Sequence, residues 1–120
     1  MKATNKSDPN LLELILELKR ETREGGAAVW RDIAKRLEKP RRNWAEVNLS
    51  RLDRYADEGD VVVVPGKVLG AGKLSKSLTV AAYGFSGSAS RKIEEAGGKN
   101  LTIQQLVQES PDGSGVRIFG

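Results

Sequence analysis

The sequence predicts an α/β fold: a mainly helical segment over residues 1–58, then a strand–strand–helix core over residues 59–120, the two forming a single domain. Three observations predict it. Apolar residues recur at helical spacing in the first part of the chain, a continuous β-branched run (Val61–Val64) marks a change to strand character after Gly59, and a chain of 120 residues suits one compact unit.

The elements follow in order. Ser7, Asp8 and Pro9 form a helix start, because a hydroxyl or carboxylate accepts the unpaired N–H groups of a first turn and proline is tolerated there. Leu11, Leu14, Ile15 and Leu18 then share one face while Glu13 and Glu17 keep another polar, and Gly25 and Gly26 end the helix. Val29, Trp30, Ile33, Ala34 and Leu37 mark a second helix over residues 27–38, which Pro40 stops. Lys39–Val47 lacks the apolar periodicity of a core element and is expected to be a functional loop. Asn48 is placed to cap a short third helix through Tyr55, with Leu49, Leu52 and Tyr55 on one side.

Val61–Val64 predicts a short buried strand closed by Pro65 and Gly66, and Leu78–Phe85 a second strand. Gly66–Ser77 between them reads as a glycine-rich basic loop or irregular hairpin, of a kind that often orders only on its ligand. Ser86 or Ser88 caps a helix through Ala96 that Gly97 and Gly98 end. Thr102 and Gln105 fit a capping box for a helix to about Glu109, and Val116–Phe119 reads as a closing strand after the break at Pro111–Gly115.

Composition removes whole classes of chemistry. With no cysteine and no histidine, disulfides, thiolate nucleophiles, Cys/His zinc sites and histidine acid–base catalysis are excluded. No catalytic residue, cofactor or metal site is expected, and no small-molecule substrate. The first ten residues are polar and the apolar runs short, so neither a signal sequence nor a membrane partner is expected, and the location should be cytoplasmic.

The net charge of +4 says little about partners, but its distribution says more. Between Lys35 and Arg54 lie seven basic residues: Lys35, Arg36, Lys39, Arg41, Arg42, Arg51 and Arg54. Arginine offers a planar fork for phosphate and stacks on bases, and Asn43 and Trp44 stand among these cations as in surfaces for structured RNA. Helix-dipole pairing would explain Lys35, Arg36 and Lys39, but it leaves Arg41, Arg42, Asn43 and Trp44 unexplained. Trp30, in contrast, sits on an apolar helix face and fills volume. Lys67, Lys73 and Lys76 fall in a stretch without acids. They suit either an RNA backbone or a solvated loop tip, and composition does not separate the two. Gly66–Ser75 fails as a nucleotide-binding loop, since Lys67 stands where a glycine is needed and Leu74 where a hydroxyl is needed. The remaining alternative is a protein-interaction module that docks through the first helix or the closing strand.

Lys35–Leu52 (KRLEKPRRNWAEVNLSRL), with Asp60–Ser77, Leu78–Ser88 and Gly113–Gly120, resembles the signature of a ribosomal family, the large-subunit protein numbered eighteen shared by archaea and eukaryotes. The short length resembles the archaeal form. The resemblance implies a C-terminal part related to the ribosomal family numbered fifteen, an irregular superhelix of strands and short helices. It also implies a structural role in the large ribosomal subunit, with large-subunit rRNA and neighbouring ribosomal proteins as partners. The expected RNA contacts are Lys35, Arg36, Lys39, Arg41, Arg42, Asn43, Trp44, Arg51, Lys67, Lys73 and Lys76, with the two basic loops on a common side.

Overall fold

The computed structural model describes residues 8–25 and 27–120, so Ser7 and Gly26, expected at the two ends of the first helix, lie outside the described residues. Helix α1 (Pro9–Arg23) starts at Asp8, whose Oδ1 accepts the Asn10 N–H at 3.0 Å. It ends before Gly25, whose φ of 100° only glycine adopts without strain. Helix α2 (Ala28–Leu37) follows. The apolar faces expected for both helices are buried: Leu11, Leu14, Ile15 and Leu18 on α1 pack with Trp30, Ile33, Ala34 and Leu37 on α2.

Five parallel strands form the sheet. In chain order they are β1 (Ala45–Asn48), β2 (Val61–Leu69), β3 (Thr79–Phe85), β4 (Lys99–Thr102) and β5 (Val116–Ile118). Central β2 has β3 along one edge, with β4 beyond it. Its other edge is shared: β5 pairs with Val61–Val63, and β1 pairs with Gly66–Leu69. The pleat then sends alternate residues to opposite cores. Val62, Val64, Val80 and Ala82 pack with Leu49 and Leu52 of α3 (Leu49–Tyr55) and with Ala89 and Ile93 of α4 (Gly87–Glu95). Val63 and Ala81 pack with α1, α2 and Ile103, Leu106 and Val107 of α5 (Ile103–Glu109). Sheet and helices thus form three layers, a mixed α/β architecture.

Several expectations are corrected. The supposed loop Lys39–Val47 contains one 3₁₀ turn (Arg41–Asn43), and its end is strand β1. Only Val47 of β1 is buried, so this edge strand shows no apolar run. The strand expected to close at Pro65 continues to Leu69 through a register shift between Val64 and Lys67. Such an irregularity tolerates a residue without an N–H. Gly66 is required there because a Cβ would overlap the Ala45 carbonyl of β1. Lys67 is therefore a strand residue. Residues 70–78 cannot make a hairpin, since β2 and β3 run parallel; they cross from the end of one strand to the start of the next.

Strand β4 was not expected, and Asn48 precedes α3 without capping it by its side chain, whose Oδ1 instead accepts the Ala71 N–H at 3.3 Å. Tyr55, expected with Leu49 and Leu52 on one side of α3, is 57% exposed. Phe119 follows the last residue of β5, and its N–H still donates to the Val63 carbonyl of β2 at 3.0 Å. Elsewhere the local signals hold. Ser86 is the cap of α4, its Oγ accepting the Ala89 N–H at 3.2 Å, and Thr102 and Gln105 form the reciprocal capping box of α5.

Candidate nucleic-acid interface

The 3₁₀ turn Arg41–Asn43 lies between α2 and β1, and three contacts hold it in shape. Asn43 N–H donates to the Pro40 carbonyl at 2.8 Å, Trp44 N–H donates to Arg41 at 3.0 Å, and the Trp44 indole Nε1 donates to the Lys39 carbonyl at 2.9 Å. The Trp44 ring is partly buried, meeting Tyr83 of β3 edge to face with centroids 5.0 Å apart. Arg41 lies over both rings, its guanidinium carbon 4.8 Å from the Trp44 centroid and 5.3 Å from that of Tyr83.

Asp8 joins this group to the start of α1. Its Oδ2 accepts from the Tyr83 hydroxyl at 2.7 Å and from Arg41 Nη2 at 3.3 Å. The Tyr83 hydrogen bond above all, helped by the Asn10 and Leu11 backbone N–H groups and the Arg41 charge, holds the Asp8 carboxyl below its usual range against the opposing effect of burial. Burial and the Asp8 contact push the Tyr83 phenol up. One carboxylate therefore caps a helix, receives a phenol and restrains a guanidinium.

A groove of about 420 Å³ is lined by Arg41 and Trp44, by Glu46 of β1, Lys67 of β2, and Tyr83 and Phe85 of β3. Lys67 sits opposite Glu46 in the β1–β2 register. The fold thus brings together cations that lie far apart in sequence, with three aromatic rings at the same place. Arg42 and Asn43 are exposed on the adjoining turn, and Arg42 enters no ion pair among the described residues.

The other expected contacts lie elsewhere. Lys35 lines a groove of about 320 Å³ between α1 and α2 with Arg23 and Arg31. Those two arginines, and Lys19 paired to Glu38 at 2.6 Å, were missed because each helix carries only part of the cluster. Arg36 pairs with Asp32 at 3.1 Å one turn earlier, and its Nη1 donates to the Gly120 carbonyl at 3.4 Å. Lys39 contributes its carbonyl to the turn described above. Arg51 lines a separate groove with Arg54 and Arg117. Lys73 lines a shallow groove of about 310 Å³ beside Lys92 and Glu95 of α4.

Lys76 is partly buried and its ammonium donates to the Ala56 carbonyl at 2.6 Å, at the end of α3. The expected basic loop at residues 66–77 is anchored along its length. Lys92 donates to the Gly70 and Gly72 carbonyls at 2.8 and 3.0 Å, Glu58 accepts from Ser77 N–H at 3.0 Å, and Asp53 accepts from both the N–H and the hydroxyl of Ser75. The Ser75 backbone and hydroxyl bonds hold the Asp53 carboxyl low. Asp60 is held low by the Asp57 N–H and by Arg117.

Chemically, this arrangement offers guanidinium and ammonium groups, half-buried rings and ordered backbone, a set that binds anions and planar groups. Among the described residues no group of three or more Asp or Glu side chains is placed to hold a metal ion, and no helix is long and apolar enough to cross a membrane.

The chain is 56% identical over 115 residues to the large ribosomal subunit protein eL18 of Halobacterium salinarum, covering 96% of this chain and 98% of that one. It is 53% identical over 118 residues to the protein of the same name from Methanoregula boonei, covering 98% of each chain. With that from Methanococcus maripaludis it shares 51% identity over 119 residues, covering 99% of each. The family described as ribosomal protein 60S L18 and 50S L18e matches residues 1–119, and the chain belongs to that family.

Proposed function

We propose that this chain is a structural constituent of the large ribosomal subunit that binds and stabilises large-subunit rRNA without catalytic chemistry of its own. The observation that carries the rRNA contact is the groove in which Arg41, Trp44 and Lys67 meet from separate elements. Guanidinium and ammonium groups there neutralise backbone phosphates, and the exposed Arg42 and Asn43 extend the contact along the turn. Lys35, Arg51 and Lys73 serve as outlying contacts on other grooves. Arg36, Lys39 and Lys76 act on RNA mainly by shaping the surface, given their internal partners.

In this reading residues 1–120 work as one ribosomal-protein domain in the cytoplasm, and the C-terminal part shares the superhelical plan of the family numbered fifteen. Neighbouring large-subunit proteins are the second class of partner. Leu12 and Leu16 on the outer side of α1, 36% and 63% exposed, favour such a protein contact.

The test is sedimentation of tagged protein in lysate with sequencing of copurifying RNA, comparing the natural chain with Arg41→Glu/Arg42→Glu. The natural chain should travel with large-subunit RNA at moderate salt. The exposed double variant should remain folded and lose that RNA. Migration of the natural chain as a free species would overturn the proposal.

A further inference from the structure

A groove of about 750 Å³ opens between α3 and β5. Leu49 and Leu52 of α3 are fully buried, which leaves Arg51, Arg54 and Tyr55 on its outer side. Neither Arg51 nor Arg54 enters an ion pair among the described residues, and no acidic side chain lines the groove. Arg54 lies over the Tyr55 ring at 5.9 Å, while that ring stays 57% exposed. Across the groove, Arg117 is fixed by Asp60 at 2.7 Å and Asp57 at 3.9 Å, and its guanidinium lies 5.4 Å from the centre of the Phe119 ring.

We propose that this groove is a second RNA-binding site that accepts an unpaired nucleotide: Arg51 and Arg54 take backbone phosphates, and the base stacks on Tyr55. The proposal rests on the reading of the chain as an RNA-binding protein. Carboxylates of a protein partner would satisfy the two guanidinium groups equally well. The exposed ring beside them selects a nucleotide, which brings a phosphate and a planar base on one unit. The site is separate from the Trp44 groove, which shares none of its lining residues.

The test uses the full chain with three probes: a short single-stranded RNA of mixed sequence, a duplex of equal length and an oligoglutamate peptide. Arg51→Gln/Arg54→Gln should lower the salt slope of single-strand binding by about 1.4, because each single-strand phosphate contact contributes about 0.7. Tyr55→Leu should weaken the single strand about fivefold or more and leave the duplex unchanged. Both arginines and Tyr55 are exposed, so the fold should tolerate these changes. Unchanged single-strand binding in both variants, with binding lost in Arg41→Glu/Arg42→Glu, would overturn this site and spare the RNA reading. If Arg41→Glu/Arg42→Glu also left RNA binding unchanged, that reading would fall as well. Oligoglutamate binding that depends on Arg51 and Arg54, with RNA binding unaffected, would replace the nucleotide with an acidic protein.

Discussion

Trp30 and Trp44 carry the same indole, and each donates its N–H to a main-chain carbonyl, at 2.8 Å to Pro111 and 2.9 Å to Lys39. Their surroundings differ. Trp30 is fully enclosed by the apolar faces of α1, α2 and α5, where its area is removed from water on every side. Trp44 is only partly covered, with Tyr83 and the guanidinium of Arg41 among the groups against it. The first region holds the chain folded. The second spends part of its burial on fixing where cations stand, so stability and surface chemistry separate between two copies of one residue type.

The largest effect that would test this contrast is at Trp30. Trp30→Ala should cost about 3–5 kcal/mol, read as a fall in the urea midpoint, because it leaves a cavity between packed helices. Next comes Gly66→Ala, expected to cost about 1–3 kcal/mol, since the added methyl meets the Ala45 carbonyl. Its signature should be local, with amide exchange accelerated at residues 45–48 and Lys67 displaced from the Trp44 groove. Trp44→Leu should cost no more than about 2 kcal/mol and yet reduce retention of rRNA in the sedimentation assay. A loss of stability equal to that of Trp30→Ala would collapse the distinction.

The smallest effect concerns acid. Asp8, Asp53 and Asp60 are held below the usual carboxylate range in the folded chain. The unfolded chain therefore binds more protons as pH drops past about 4, and the stability these groups contribute is present above that pH and lost below it. Asp8→Asn keeps a good helix cap and an acceptor for Tyr83 while removing the charge. Its melting temperature should fall less steeply on the acid side than that of the natural chain; parallel curves would show that Asp8 has no such role.

Local signals were legible in the sequence. The Leu and Ile spacing of α1 and α2, the Asp8 and Ser86 caps and the Thr102–Gln105 box each operate within one or two turns, and the structure carries all of them. What escaped depends on distant partners. β1 and β4 are four-residue strands with burial on few positions, so neither has a run of apolar residues to announce it. The passage of β2 through Pro65 and Gly66 contradicts local propensity and makes sense only with β1 alongside. The interface followed the same rule: Arg41, Arg42, Asn43 and Trp44 stood out as a cluster, but Tyr83, Phe85 and the grouping with Lys67 required the β1–β2–β3 register. The glycines of residues 66–77 suggested a loop awaiting its ligand, whereas Lys92, Asp53 and Glu58 already supply its anchors.

The divided edge of β2 bears on how the protein is made. Val61–Val63 meet Val116–Ile118, and Gly66–Leu69 meet Ala45–Asn48, so one strand waits for partners from both before and after it in the chain. During synthesis the β1 side can close early, while the first half of β2 stays open along that edge until residue 118 has emerged. Parallel pairing across such separations makes for slow folding, and the exposed strand invites wrong partners in the interval. A nascent chain stalled between β4 and β5 should therefore be the form that needs a chaperone most.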